Sequence, residues 1–239
     1  TAYVLTQYEI ASFLAFTYTG STPDATLLAA ADSKSLWTKA QIDTQVTRLL
    51  ATTKARQHFG NFAVQWLDAE GLPYDARDPA RYPTYTTDVQ KSMLEEVRAI
   101  YNDVLLDGAP FANLYSSSYT FANQALINFY GLSGSAGSAV QKVNTTNRRG
   151  LLASAAYTAR NAHFAKTAPV IRAVRTRRSF LCHDVPNPPT GVALDQLRED
   201  QAKAFEALKA TQGGFATARQ EYHFLTSVTP CTNCHLKIV

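Results

Sequence analysis

The stretch VQKSMLEEVRAIYNDV, residues 89–104, predicts the longest helix of the chain and decides between a helical and a sheet fold. Its apolar residues recur every three or four positions, at Val89, Met93, Val97, Ile100 and Val104. This spacing places them in one stripe along a helix, whereas a half-buried strand would alternate every second residue. Gly108 follows as the predicted stop.

On the N-terminal side, the sequence predicts four more helices, three of them with a start signal. Thr6-x-x-Glu9 and Thr38-x-x-Gln41 are capping boxes, and Pro23-Asp24 opens a short helix between them. His58 lies at the edge of the fourth apolar stripe and is predicted to be a surface or core histidine. The residues expected to face inwards in the first and fourth helices are Ile10, Phe13, Leu14, Thr17, Phe59, Phe62, Ala63, Trp66 and Leu67.

On the C-terminal side, residues 118–129 predict a short helix, and residues 133–147 a flexible loop or a weak hairpin. Pro169 is predicted at the first turn of a later helix, where its missing N–H costs nothing. The residues of that helix expected to face inwards are Val170, Val174 and Leu181. No alternating pattern longer than four residues indicates a strand.

The predicted fold is therefore all-α, a multi-helix, bundle-like arrangement. We divide it into an N-terminal helical module (1–69), a middle helical module (70–147) and a basic C-terminal module (148–239), expected to pack as one compact unit. A chain of 239 residues is long enough to bury a sizeable core. No apolar run reaches the roughly 18 residues of a membrane span, and no leader is recognisable, so we expect a mature form or a fragment without a span.

Positive charge is concentrated in one part of the chain. No Asp or Glu occurs from Gly108 to His183, although nine cations do: Lys142, Arg148, Arg149, Arg160, Lys166, Arg172, Arg175, Arg177 and Arg178. Each arginine taken alone is best explained as a solvent-exposed residue on a helix face. Together they predict a positive field that suits an acidic protein surface or another anionic group. No nucleic-acid recognition motif accompanies them, so nucleic acid is not an expected partner.

The sequence PCTNCH, residues 230–235, contains the Cys-x-x-Cys-His signature of covalent c-type haem attachment. In this chemistry the thiols of Cys231 and Cys234 add to the two haem vinyl groups. His235, adjacent to the second thiol, is placed to ligate the iron from the proximal side. The motif predicts one haem c per chain, and the arginines Arg172 and Arg175 are candidates for binding its propionates.

Two other interpretations of this cysteine pair remain open. A thioredoxin-like redox pair normally follows a strand and precedes a helix, but only four residues follow His235. A zinc site would require a second ligand pair, which only Cys182-His183 could supply. If Cys231 and Cys234 hold haem, Cys182 is expected to be a free, buried thiol. If they do not, a disulfide from Cys182 to one of them is possible.

Several longer stretches resemble large cytochrome-like proteins abundant in planctomycetes and myxobacteria, which are built of serial domains of unknown function. YEIASFLAFTYTGSTPDATLLAAA (8–31) and RLLATTKARQHFGNFAVQWL (48–67) resemble their first helical module. SMLEEVRAIYNDVLLDGAPFANLYSSSYTFANQALINFYGL (92–132) resembles the middle module. RRGLLASAAYTARNAHFAKTAPVIRAVRTRRSFLCHDVPNPP (148–189), followed by CTNCH, resembles the haem-motif module. The order of the blocks also matches.

The chain departs from the family pattern in three ways. Family members usually continue past Cys-x-x-Cys-His into a further domain. They often have Gly where this chain has Ala173, and many have His where it has Leu225, for which His223 is the nearest substitute. The resemblance implies an architecture, but it assigns no reaction.

The second axial ligand of the predicted haem has several candidates. His163 ranks first because it falls between two helices, in the block that most resembles the haem module. His223 ranks second, on the helix leading into the motif, and an open iron ranks third. The remaining candidates are His58, His183 and the single methionine, Met93, whose place on an apolar stripe favours core packing.

These observations predict an extracytoplasmic mono-haem protein, periplasmic or extracellular, that transfers electrons to an acidic redox partner or to other subunits of an assembly. One alternative is a haem enzyme of peroxidase or oxygenase type, which would keep the sixth iron position open. Another is a non-enzymatic scaffold in which haem or another metal staples the C-terminus. The sequence does not decide whether the protein is an enzyme.

Overall fold

The computed structural model describes residues 3–185, 193–214 and 217–227, together with Thr232 and His235. The chain forms two compact units. Unit 1 contains Thr1–Asp75 and Tyr82–Arg160, and unit 2 contains Ala76–Arg81 and Asn161–Val239.

Unit 1 consists mainly of helices. They are α1 (Gln7–Thr19), α2 (Ala25–Asp32), α3 (Lys39–Leu50), α4 (Thr53–Trp66), α5 (Thr87–Leu105), α6 (Asn113–Ser116), α7 (Gln124–Tyr130) and α8 (Ala155–Arg160), with short 3₁₀ turns at Leu72–Tyr74 and Leu151–Ala153. Two strands, β1 (Tyr119–Ala122) and β2 (Gln141–Asn144), complete it. The helices described in unit 2 are α9 (Pro169–Leu181), α10 (Leu194–Gln212) and α11 (Ala218–Thr226).

Helix α5 is the centre of unit 1, which confirms the long helix predicted from its apolar stripe. It starts at Thr86, whose side chain accepts the N–H of Val89. Met93, Val97 and Ile100 are buried, and α5 packs against α4, α7, α8 and β1. The solitary methionine is therefore a core residue of unit 1.

The predicted helix starts at the N-terminus are also confirmed. Thr6 with Glu9, and Thr38 with Gln41, form reciprocal capping boxes. Asp24 caps α2 by accepting the N–H of Leu27 at 2.9 Å. Each cap satisfies backbone N–H groups that the first helical turn cannot bond internally.

The inward faces of α1 and α4 differ from the prediction. In α1 the buried positions include Ala11, Leu14 and Ala15, whereas Phe13 is 62% exposed and Thr17 is also exposed. In α4, Phe62 is 50% exposed. The small alanines of these helices allow close helix packing, which turns several of the aromatic side chains away from the core.

A two-stranded antiparallel sheet makes the all-α prediction too strong, although the protein is mostly helical as predicted. Tyr119 pairs with Asn144 and Ala122 with Gln141. The helix predicted over 118–129 is therefore wrong in its first part. Of the run 133–147, predicted as a flexible loop or a weak hairpin, only Gln141–Asn144 is a strand, and it pairs with β1 across α7 rather than within the run. The burial of Thr120 and Ala122, alternating with less buried neighbours, supplies the two-residue period of a strand.

In unit 2, Pro169 stands in the first turn of α9, as predicted. No residue of α9, all of which the structure describes, is fully buried, and Leu181 is 54% exposed. The predicted inward position of Leu181 is wrong, because it lies in the last turn next to the exposed Cys182. No helix among the described residues is long and apolar enough to cross a membrane.

Candidate functional site

Three elements of unit 2 meet at Thr167. The preceding turn is closed by a bridge between Ala162 and Thr167 and by the His163 N–H, which donates to the Lys166 carbonyl at 2.9 Å. The Tyr222 hydroxyl of α11 donates to the Thr167 carbonyl at 2.6 Å. The Arg172 guanidinium of α9 donates to Thr167 Oγ1 at 3.1 Å. We call this group of residues the Thr167 junction.

Local sequence explains why α11 reaches the Thr167 junction in a fixed register. Thr217 and Gln220 form a capping box that sets the start of α11. Tyr222 follows in the first turns, where its ring is half-buried. Burial raises the pKa of the Tyr222 hydroxyl, while the nearby positive charge of Arg172 lowers it. The tyrosine is therefore protonated at neutral pH and can donate its hydrogen bond.

The two leading axial-ligand candidates both lie beside the Thr167 junction and both are exposed. His163 belongs to the turn itself, and His223 follows Tyr222 on α11. Among the described residues, neither imidazole makes a hydrogen bond or a ring contact with His235. The structure thus brings His163 and His223 to one region of unit 2 and leaves their side chains accessible.

The two arginines predicted to bind propionates occupy different environments. Arg172 is half-buried and bonded to Thr167, whereas Arg175, one turn later on α9, is exposed. Both side chains belong to the same helix and unit as the Thr167 junction. Arg172 is therefore held at the turn that carries His163.

His235 combines partial burial with a ring nitrogen that makes no hydrogen bond. It is half-buried, and its Nδ1 atom is buried without a hydrogen-bond partner. Burial lowers the pKa of the imidazole, which favours the neutral form that coordinates metals. A buried polar atom without a partner is costly in an ordinary core. Cys231 and Cys234 lie outside the described residues, so His235 is the one candidate haem-binding residue of the motif that the structure describes. A neutral imidazole fits the role of a proximal haem ligand.

The remaining axial-ligand candidates lie in different parts of the chain. His58 is half-buried on α4 and Met93 is fully buried in the core, both in unit 1. His183 is exposed in unit 2, with its N–H bonded to the Arg177 carbonyl. The described residues contain no group of three or more His, Cys, Asp or Glu side chains that could hold a metal ion.

Cys182 is a free cysteine, as expected if the other pair holds haem, but its predicted burial is wrong. It is exposed and ends α9 in a left-handed conformation, with φ 52°. The helix terminates there because this conformation turns the chain away from the helix axis.

Part of the positive charge predicted to face a partner is bound within unit 1. Lys142 pairs with Asp103 at 2.9 Å. Arg148 lies over the Tyr130 ring, 3.8 Å from its centre. The Arg160 side chain donates to the Asp68 carbonyl at 2.7 Å and to a carboxylate oxygen of Asp75 at 3.3 Å. These three cations make contacts within unit 1. Any positive field that faces a partner must therefore come from the other cations of the acid-free segment.

Sequence analysis missed one unusual group, the carboxyl of Glu96, which is fully buried in unit 1. Thr120 and Tyr130 each donate a hydrogen bond to it. Burial raises its pKa to about 7. The sequence does contain a signal for this burial. Glu96 stands three residues after Met93 and one before Val97, on the side of α5 that carries the apolar stripe.

Comparison with models of protein families shows which family the chain belongs to. Residues 5–132 match PSD4, described as a protein of unknown function (DUF1592), and residues 148–239 match PSCyt3, described as a protein of unknown function (DUF1588). Domains of these two kinds in series are known in cytochrome-c-like multidomain proteins. Since the first match spans more than half of the chain, the protein belongs to the PSD4 family. No curated protein and no solved structure matches it. The three-module division remains a prediction.

Proposed function

We propose that this protein is an extracytoplasmic mono-haem c-type cytochrome-like protein that transfers electrons. The observation that carries the proposal is the buried, unpartnered Nδ1 of His235, at the histidine of a Cys-x-x-Cys-His sequence. The PSD4 and PSCyt3 matches support it, because such domains occur in cytochrome-c-like proteins. Periplasmic or extracellular localisation belongs to the same proposal, since thioether attachment takes place outside the cytoplasm.

The chain's own residues have distinct roles in this proposal. Cys231 and Cys234 attach the haem, and His235 supplies a neutral imidazole to the iron. Arg172 and Arg175 provide positive charge suited to the propionates, and Arg172 is held in place by Thr167. When bound, haem supplies a one-electron ferric–ferrous couple, whose potential depends on axial ligation, burial and nearby charge.

Intact-mass measurement under denaturing conditions tests covalent attachment. The full chain is produced in a bacterial periplasm together with a c-type haem maturation system. We expect the mass of the polypeptide plus one haem. The double variant Cys231→Ser/Cys234→Ser should have the bare polypeptide mass, and the matched control Cys182→Ser should still carry haem. A bare mass for the wild type would overturn the proposal.

The partner surface is proposed to be acidic. The exposed cations of unit 2 include Lys166, in the turn before α9, and Arg175 and Arg178 on α9; Arg178 also pairs with Asp184 at 3.5 Å. Attraction between exposed charges is screened over about 8 Å at physiological ionic strength. Reduction of the haem-loaded protein by a small anionic reductant should therefore slow as salt is added. A rate that does not change with salt would argue against the positive surface.

One observation favours a second candidate, a haem enzyme with an open iron position. His163 and His223 are both exposed, and neither contacts His235 among the residues that the structure describes. The absorption spectrum of the loaded protein separates the two candidates: low-spin bands support electron transfer, and a high-spin spectrum supports the enzyme.

A further inference from the structure

A concave site lies on unit 1, away from the Cys-x-x-Cys-His sequence. It has a volume of about 450 Å³, within the range typical of small-molecule sites. Helices α1, α4 and α5 supply its walls, and the lining residues are Thr17, His58, Phe59, Asn61, Phe62, Gln65 and Tyr101. We call it the aromatic pocket.

Aromatic rings form one side of the aromatic pocket. The Phe62 ring lies 5.7 Å from Tyr101 and 6.4 Å from Trp66, measured between ring centres. Trp66 and Tyr101 meet edge to face at 6.4 Å. Although these contacts fix the ring orientations, Phe62 remains 50% exposed. The cluster therefore presents an apolar aromatic surface to whatever enters the pocket.

Polar groups around these rings are available to a ligand. Among the described residues, the side chains of Thr17, His58 and Gln65 and the hydroxyl of Tyr101 make no hydrogen bond. Asn61 accepts the Nε–H of Arg98 through Oδ1 at 3.0 Å, which leaves its amide N–H groups unused. The pocket thus offers hydroxyl, imidazole and amide groups that can both donate and accept.

The lack of a side chain at Gly20 leaves room for the His58 imidazole. Gly20 ends α1 in a left-handed conformation, with φ 60°. A Cβ atom placed at Gly20 would lie 2.5 Å from Nδ1 of His58. The imidazole therefore occupies the space that a side chain at residue 20 would fill, beside the pocket wall.

The charge of the lining restricts the ligand. Among the described lining residues there is no Asp, Glu, Lys or Arg. Arg98, which bonds to Asn61, is already paired with Glu95 at 2.8 Å. An ionic ligand would therefore lose its hydration without gaining an unpaired opposite charge, which is unfavourable. The favoured ligand is neutral, has many hydroxyl groups, and carries an apolar face that can lie against an aromatic ring.

We propose that the aromatic pocket binds a neutral saccharide, whose C–H face stacks on Phe62 while its hydroxyls bond to Gln65, Asn61 and Tyr101. Sugars combine an apolar face with a rim of donors and acceptors, and this combination matches the lining. Burial raises the pKa of Tyr101, so its hydroxyl remains a donor at neutral pH. The proposal does not depend on haem.

Two-dimensional amide NMR of the full chain tests the proposal, with cellohexaose, xylohexaose, mannohexaose and chitohexaose as probes. At least one probe should bind saturably with a Kd of about 1 mM or tighter and shift the side-chain amide signals of Asn61 and Gln65. Glucose, xylose, mannose and N-acetylglucosamine are titrated in parallel. Binding of a hexasaccharide alone assigns the pocket to a polymer chain, and equal binding of the monosaccharide assigns it to a free sugar.

Two variants test whether the saccharide binds in the aromatic pocket or elsewhere on the surface. Phe62→Ala removes the stacking ring, and Tyr101→Phe removes only a hydroxyl. Each should weaken saccharide binding, Phe62→Ala by about tenfold. The matched control is Phe111→Ala, since Phe111 is 70% exposed and outside the pocket. It should leave the affinity unchanged.

Three results would overturn the proposal. The first is that none of the eight sugars binds. The second is binding that both Phe62→Ala and Tyr101→Phe leave unchanged. The third is a wild-type dimer in sedimentation that Phe62→Ala dissociates, because the aromatic surface would then be an interface between copies of this chain.

Discussion

Tyr130 donates a 2.5 Å hydrogen bond to Oε2 of Glu96 and so joins helix α7 to the centre of α5. The same hydroxyl accepts the N–H of Ala155 at 3.0 Å, which brings in the start of α8. Thr120 of β1 donates to the other carboxyl oxygen of Glu96. One buried carboxyl therefore organises four elements of unit 1. Such satisfied polar networks fix a single packing arrangement in a core.

The first prediction concerns the pH dependence of stability. The Glu96 carboxyl has an ordinary value near 4.5, and burial raises its pKa to about 7 in the folded protein. Between these two pH values the unfolded chain releases the proton and the folded chain retains it. The free energy of unfolding should therefore fall as pH rises from about 4.5 to 7, by on the order of 3 kcal/mol from this group. Glu96→Gln should remove that fall in urea denaturation.

The matched control is Glu95→Gln, the same substitution one residue earlier. Glu95 is on the surface and pairs with Arg98 at 2.8 Å. Exposed pairs of this kind contribute little, so this variant should retain the wild-type pH dependence. If Glu96→Gln and wild type fell in parallel over the same window, Glu96 would not be the titrating group.

The second prediction tests a close backbone approach. Gly150 has φ 65°, and a Cβ atom there would lie 2.2 Å from the Leu114 carbonyl oxygen. Gly150→Ala should destabilise unit 1 by about 3 kcal/mol or more, because backbone atoms would have to move. Gly131 has the same φ but nothing within 4 Å, so Gly131→Ala should cost only about 1 kcal/mol. Equal losses in thermal or urea unfolding would contradict the predicted clash.

Much of the fold could be predicted because its signals are local. The capping boxes at Thr6 and Thr38 and the stripe through Met93 each determine a helix within a few residues. The strand at Tyr119–Ala122 was missed because it depends on a partner some twenty residues later, Gln141–Asn144. A four-residue strand carries too short a period to be distinguished from a helix start.

The candidate site was less predictable, because it also depends on contacts between residues that are far apart in the sequence. Cys-x-x-Cys-His is a local pattern, so the sequence alone is enough to propose His235 as a candidate ligand. The meeting of Tyr222 with Thr167 joins residues 55 positions apart, and no spacing rule anticipates it. Likewise, the charges of Lys142 and Arg160 are compensated by distant acids, which the acid-free segment itself could not reveal.

The third prediction concerns the end of α9. Cys182 adopts the left-handed conformation, with φ 52°, which is strained for a residue with a Cβ atom. Cys182→Gly should therefore stabilise the end of α9 by up to about 1 kcal/mol. Slower hydrogen exchange at the last amides of α9 measures the gain. Cys182→Ala retains the Cβ atom and should give no slowing. If both variants slowed exchange equally, removal of the thiol would be the cause.

The fourth prediction concerns the second axial ligand, for which His163 remains the first choice. Its side chain is exposed, and its only described hydrogen bond is made by the backbone N–H to Lys166. Alanine retains that backbone bond, so His163→Ala should preserve the turn and the covalent haem. The substitution removes the imidazole and nothing else that the turn requires.

In the haem-loaded protein, His163→Ala should convert a low-spin ferric spectrum to a high-spin one, because the iron loses a strong-field ligand. The matched control is His223→Ala, which removes another exposed imidazole of unit 2, two residues before Leu225 on α11. It should leave the spectrum unchanged. Conversion by His223→Ala alone would reassign the ligand to α11. A wild-type spectrum that is already high-spin would instead show that neither histidine binds the iron and would favour the open-site enzyme.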